Sequence, residues 1–236
     1  MVPTQRHSYL VLALLLFANA LVLNTAFAQM QPKDANEILK PVRDNFNQIK
    51  DYTANAHINV NVDFVRIPDK DATVYFKQPD KFRFKAEGFA MLPKRGVNAT
   101  VMQLLQGNYT AIYAGSANVN NTQTDIVKVL PTDANDDVIL STFWIDAKHQ
   151  IQRVETTTRN NGSYNLDFNY ATNPFNLPQQ IVINFDVEKM NIPLGLSMDL
   201  DSFGKKKDDK KSTRGVVTVT YANYKVNTGL SDSVFK

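Results

Sequence analysis

The chain has 236 residues, 43% of them hydrophobic, with 26 Lys+Arg against 23 Asp+Glu for a net charge of +3, and it has no cysteine. So small a charge excess excludes a nucleic-acid reading, which needs a concentrated basic surface. Without cysteine there can be no disulfide, no thiol nucleophile and no acylated N-terminal cysteine, so the core alone must hold the domain together.

The first segment reads as an export leader. Arg6 supplies a positive end, Tyr9 to Leu23 an apolar stretch broken only by Asn19, and Ala26-Phe27-Ala28 a small-x-small cleavage site. A membrane-spanning helix needs about 20 apolar residues, more than this run offers before the polar stretch from Gln29 to Asp34. Residues 1–28 are therefore expected to be cleaved, leaving residues 29–236 as a single exported domain. A periplasm of the Gram-negative type suits an exported chain without disulfides.

Next comes a helix, expected from about Asp34 to Lys50. Asp34 and Glu37 have capping-box spacing, and Ile38, Val42, Phe46 and Ile49 recur at helical spacing. Pro41 is expected to kink it or to delay its start to near Lys40.

From Tyr52 the period changes to two. Ala54, Ala56, Ile58, Val60, Val62 and Phe64 alternate with Asn55, His57, Asn59, Asn61 and Asp63, as in a long half-buried strand. Further strands are expected at Ala72–Gln78, Lys81–Glu87, Val97–Gln103, Tyr109–Ala114, Thr124–Val129 and Val138–Ile145, then at Gln150–Thr158, Ser163–Ala171, Gln180–Val187 and Arg214–Lys225. Turn signals such as Gln78-Pro79-Asp80, Asp146-Ala147-Lys148 and Asn160-Asn161-Gly162 divide them. The fold class is mainly β, one antiparallel meander, and a sheet of about ten or more strands must curl or close.

Two loops are apolar where polarity is expected: Phe89-Ala90-Met91-Leu92-Pro93, and Met190 to Leu200, which contains Met198. Either they cap the core or they are flaps over a greasy hollow, for which the adaptable Met side chain is suited. The run Lys205 to Lys211 mixes both charge signs and reads as a solvated loop that could touch an anionic membrane surface.

Chemistry-bearing constellations are few. Beyond the leader the only histidines are His57 and His149, too few for a His-rich zinc site. Asp133-Ala134-Asn135-Asp136-Asp137 begins like a calcium loop, but Val138 replaces its turn glycine and Trp144 its bidentate glutamate, so it reads as a turn. There is no phosphate loop, G-x-S-x-G or dinucleotide fingerprint. No enzyme, cofactor or metal is expected, a carboxylate-pair hydrolase being the weakest of the alternatives.

Several stretches resemble the LolA/LolB-type lipoprotein carriers of the bacterial envelope. They are the helix running into Ile49-Lys50-Asp51-Tyr52-Thr53-Ala54, the hairpin Tyr75 to Phe84 with its Lys77-Gln78-Pro79, Trp144-Ile145-Asp146 leading into Ile151-Gln152-Arg153-Val154, and the closing Tyr224 to Leu230 with Phe235. The resemblance implies an incomplete, strongly curved antiparallel β-barrel with an N-terminal helix and helical or loop lids. It implies no chemistry. Its hollow would shield the acyl chains of a lipoprotein, or of a related lipid, between an inner-membrane donor and an outer-membrane acceptor, as a monomer touching membranes only transiently. One departure is Gln78, where family carriers often place Arg; an amide hydrogen-bonds but forms no charge-assisted pair.

On this reading the apolar parity of the strands lines the hollow: Ile58, Val60, Val62 and Phe64; Val74 and Phe76 with Gln78; Phe82 and Phe84; Phe143 and Ile145, or Trp144 with Leu140 on the opposite parity. Met91, Leu92 and Met198 would be contributed by the flaps. The alternative function is a non-transport envelope sensor or interaction module on the same scaffold, which a filled core and an exposed apolar patch would favour.

Overall fold

The computed structural model describes residues 33–62, 65–66, 68–86, 97–160, 162–186 and 214–236. Helix α1 spans Ala35–Asn47. The Asp34 carboxylate accepts the Asn36 N–H at 2.8 Å, satisfying one of the donors that a helix start leaves open. The late start near Lys40 does not occur, and the helix runs continuously through Pro41. Burial explains this: Ala35 and Leu39, one turn apart, are packed into the core and hold the first turn in place. The buried stripe is Ala35, Leu39, Val42 and Phe46, with Ile38 at its half-buried margin.

Strands β1 (Asp51–Val62), β2 (Val65–Arg66), β3 (Lys70–Lys77) and β4 (Lys81–Lys85) precede helix α2 (Val97–Gln106). Then follow β5 (Tyr109–Val119), β6 (Thr122–Pro131), β7 (Val138–Asp146), β8 (Ile151–Thr158), β9 (Ser163–Tyr170), β10 (Pro178–Asp186), β11 (Arg214–Val226) and a 3-10 turn at Asp232–Phe235. The strand expected at Val97–Gln103 is α2 instead. Val97 and Val101 satisfy both periods; Leu105, beyond the expected strand end, continues the spacing of four, and Val101 and Leu105 are buried along that stripe.

The sheet order is β4-β3-β1-β11-β10-β9-β8-β7-β6-β5, with β2 paired to the end of β1. All its pairings are antiparallel, yet it is not one meander. After β4 the chain passes through α2 to the opposite edge and winds back strand by strand until β11 seals against β1, from Tyr52↔Val226 to Val62↔Gly215. Edges β4 and β5 do not pair, so the barrel stays incomplete. The β5–β6 link is a two-residue turn, Asn120-Asn121, with positive φ at both residues (49° and 62°), a conformation asparagine tolerates and one that matches strand twist.

One parity of every long strand faces the helices: Tyr52, Ala54 and Ile58 on β1, Val74 and Phe76 on β3, Val127 and Val129 on β6, Phe143 and Ile145 on β7, Leu166 and Phe168 on β9. Each large side chain removed from water here contributes roughly 1.5–3 kcal/mol.

The C-terminal segment is clasped to the start of β1. The buried Asp51 carboxylate accepts the N–H groups of Thr228, Gly229 and Leu230 at 2.8, 3.0 and 3.3 Å. Asp232 bridges Lys77 and Lys81, each at 2.7 Å, which hold its carboxyl down at about 2. Arg83 donates to the carbonyls of Val234 and Lys236. The β4 edge is thus short, cationic and covered by its own tail, which blocks stray strand pairing.

Candidate functional site: an apolar cavity at the helix–sheet seam

The candidate site lies at one end of the sheet, where α1 runs into β1 and the β7–β8 turn and β9–β10 loop reach over. A partly open cavity of about 60 Å³ lies there. Its floor is aromatic and aliphatic: Val42 and Phe46 from α1, Val101 and Met102 from α2, Phe76 and Phe168 from the sheet. Phe46 and Phe76 meet at 5.5 Å between ring centroids, and Tyr52 stacks on Phe76 at 5.2 Å, geometries that suit aromatic quadrupoles.

The rim is polar but, among the described residues, carries no carboxylate, ammonium or guanidinium: Asn45, His149, Gln150 and Asn176 contribute to it. Gln150 Nε2 donates to Asn176 Oδ1 at 3.1 Å, joining the two turns. Two further side chains fix their backbones. Asp146 accepts the Lys148 and Gln150 N–H groups at 2.8 and 2.9 Å, and Asn173 Oδ1 accepts those of Phe175 and Leu177, both at 3.1 Å. Behind them Tyr170 donates to the Ile151 carbonyl at 3.0 Å and Tyr224 to that of Pro178 at 2.8 Å. Burial pushes both phenols well above the ordinary tyrosine value, so both remain protonated donors.

Of the residues expected to line a hollow, Phe76 lies on this cavity. Ile58, Val74, Phe143 and Ile145 are buried in the continuous core, and Val60, Phe82 and Phe84 pack half-buried against it, as neighbours of the cavity's surroundings rather than as its lining. Val62 is half-buried near the end of β1. Gln78 turns to α1 and donates from Nε2 to the Phe46 carbonyl at 3.2 Å, closing one acceptor at the helix C-terminus. Phe64, Met91, Leu92 and Met198 lie outside the described residues. The cavity's Asn45, Phe168, Phe175 and Leu177 were not legible as site residues. The available signal was the loop Asn173 to Pro178, with Phe175 and Leu177 apolar in a turn initiated by asparagine.

Trp144 and Leu140 take the opposite parity and face outward. With Ile126, Lys128 and Glu155 they line an open trough of about 440 Å³ on the convex side, near the exposed Ile112 and Ile139. On the same outward parity of β1, His57 sits between Asp71 and Asp69, at 2.8 and 3.1 Å from its two ring nitrogens. These carboxylates raise its value above the ordinary 6.5. Among the described residues no group of three or more His, Asp or Glu could hold a metal ion, and no helix is long and apolar enough to cross a membrane. Asp133 to Asp137 forms a turn closed by Asp136 N–H to the Asp133 carbonyl at 3.1 Å.

Curvature, two unpaired edge strands and helices laid on the concave face define the class: an incomplete antiparallel β-barrel. No family model and no curated protein matches the sequence. Solved structures share the fold. A LolA superfamily protein from Nitrosomonas europaea aligns over 86% of this chain and 98% of its own with a TM-score of 0.58 at 12% identity. A DUF1329 family protein from Desulfovibrio piger covers the same shares with a TM-score of 0.57 at 11% identity. A domain described as an outer membrane lipoprotein-sorting protein, from Vibrio parahaemolyticus, aligns over 86% and 97% with a TM-score of 0.53 at 11% identity.

Proposed function

We propose that this chain is a periplasmic carrier that shields acyl chains of lipoproteins, or of related lipids, between its helices and the concave face of its sheet, for transfer toward the outer membrane. The observation that carries this reading is the partly open apolar cavity at the helix–sheet seam, lined by no charged side chain among the described residues. Burying an acyl chain yields about 0.8 kcal/mol per methylene, on the order of 12 kcal/mol gross for a palmitoyl tail, with no directed polar contact required. At about 60 Å³ the cavity is smaller than the roughly 150 Å³ that admits benzene. A whole chain would therefore enter only as α1 and α2 lift from the sheet, extending the site along Phe76, Val74, Phe82 and Phe84, with Ile58, Val60, Val62 and Phe64 beyond. Phe143, Ile145, Met91, Leu92 and Met198 would complete that wall, and Gln78 would couple the hairpin to α1. Cleavage after Ala28 would deliver residues 29–236 to the periplasm, and the role requires no catalysis.

The test is native mass spectrometry of the mature protein purified from its own periplasm without detergent, followed by lipid extraction. A stoichiometric acylated adduct supports the reading. A bare polypeptide mass that also takes up no acyl probe overturns it. The second reading, an envelope interaction module on the same scaffold, is favoured by the largely filled core together with the exposed Ile112 and Ile139; it gains from that negative result.

A further inference from the structure

The outer face of the sheet is divided in character. Strands β9, β10, β11 and β1 present mainly carboxamides and hydroxyls there, Asn55, Asn59, Thr218 and Thr220 among them, whereas β5 to β8 gather apolar side chains about the open trough. Trp144, the chain's only tryptophan, stands in it with Ile126 and Leu140, and Ile112, 50% exposed, carries the patch out to edge strand β5. An apolar patch rimmed by polar groups on an outer face marks a contact surface. We infer that it is the contact between two copies of this chain, packed outer face to outer face about a two-fold axis that runs along β7.

Strand register supplies the geometry. Lys128 on β6 lies opposite Thr142 on β7, and Thr142 lies opposite Glu155 on β8. The three make one row across the sheet: cation, hydroxyl, anion. The two charges are two strand spacings apart, about 10 Å; both are exposed, and the trough lies open between them. Rotation about an axis along β7 exchanges the β6 and β8 sides, so Lys128 of each copy faces Glu155 of the other, twice over. On the axis itself Trp144 and Leu140 meet their own equivalents. The result is an apolar centre between two charge pairs, as in an interface with a core and a rim. An axis across the strands would instead set Lys128 on Lys128 and Glu155 on Glu155, so charge selects one of the two ways of stacking. Arg153, beside Trp144 in the next row, is already neutralised by Asp167 at 2.6 Å and brings no bare charge to the centre.

Size sets the strength. Four strands about 4.8 Å apart and a β7 of nine residues make a face of roughly 19 by 30 Å. That is about 570 Å² in projection, before curvature trims it, against the roughly 800 Å² per partner of a standard stable interface. The dimer is accordingly a weak one, with a Kd on the order of 10 μM, and it departs from the monomer that the family resemblance implies. Contact through the outer faces leaves the concave side of each copy, with the seam cavity, turned away from the other, so association and cargo binding are separate properties.

The test is sedimentation velocity of the mature chain from about 1 to about 300 μM, with the emission of its single tryptophan, Trp144, read in parallel. A concentration-dependent monomer–dimer shift accompanied by a blue shift of that emission supports the inference. Lys128→Glu and Glu155→Lys, both at exposed positions, should each raise the Kd about tenfold or more, because each change turns two attractive pairs into two repulsive ones; far-UV circular dichroism checks that both variants are folded. Mixed in equal amounts, the two variant chains should associate with each other about as tightly as the wild type, since every charge again meets its opposite, and both changes placed in one chain should restore self-association. A chain still monomeric at about 300 μM overturns the inference, and if phosphatidylglycerol vesicles shift its Trp144 emission they overturn it in favour of a membrane contact. A dimer indifferent to both single changes, or two variants that fail to rescue each other, overturns it as well. Each of these outcomes leaves the carrier reading standing, because acyl binding is read on the opposite face.

Discussion

Replacing Phe46 by alanine tests whether α1 is truly seated on the concave face. Phe46 is 8% exposed, meets Phe76 at 5.5 Å and forms part of the cavity lining. Truncating a buried phenylalanine costs about 3–5 kcal/mol. Because one side of this ring already borders the cavity of about 60 Å³, it has fewer contacts to lose, which places the expected loss at the lower end, about 3 kcal/mol. With a urea m-value of roughly 3 kcal/mol/M, the unfolding midpoint should fall by about 1 M. The assay is urea unfolding followed by far-UV circular dichroism, and Phe46→Leu serves as a control expected to cost less than about 1.5 kcal/mol. Saturation with an acyl ligand at about a hundred times its Kd should return about 2.7 kcal/mol if the ligand binds only the folded chain. A loss below about 1 kcal/mol would refute the packing argument, because a helix resting loosely on the sheet would not register the missing ring.

Asp51→Ala should free the C-terminal clasp, costing about 2–4 kcal/mol, since three backbone donors lose a charged acceptor; hydrogen exchange should show protection lost at Thr228 to Leu230 while the β7 and β8 amides stay protected. For the buried hydroxyl pair Ser141 and Thr156, 2.9 Å apart, Ser141→Ala or Thr156→Val alone should cost about 1–3 kcal/mol, and the double change less than the sum, because neither hydroxyl is then left unpaired; strict additivity in urea unfolding would contradict this. His57 should titrate above 6.5 by NMR, and Asp69→Asn or Asp71→Asn should bring it back toward that value. Because the folded state holds the proton more tightly, this contact stabilises fully below pH 6.5, and its contribution is lost as pH rises through the raised value; a titration at or below 6.5 would remove the two-carboxylate clamp. At Asp232 the sign reverses: the carboxyl is held down at about 2 by Lys77 and Lys81, so its contact with the β3–β4 hairpin should persist in acid until pH falls toward that value, as followed by the Asp232 carboxyl carbon shift.

What is local in this protein was written in its sequence. Asp34 capped α1 because a short carboxylate before an apolar stripe satisfies open N–H groups whatever surrounds it, and the alternation of Ala54, Ala56 and Ile58 with Asn55, His57 and Asn59 set which parity of β1 would be buried. Turns at Gln78-Pro79-Asp80 and Asp146-Ala147-Lys148 fell where proline and aspartate placed them. Other features required partners that local pattern cannot identify. Val97 to Gln103 satisfies both periods until Leu105 finds a buried place in α2. The pairing of β1 with β11 joins strands from opposite ends of the domain, a choice made by complementary edges and a shared apolar face. The cavity depended on such choices most of all. Its lining comes from two helices, several strands, a turn and a loop separated by long stretches of chain, so residues that read as ordinary loop or helix positions, Asn45 and Asn176 among them, became a rim only when the curved sheet brought them together.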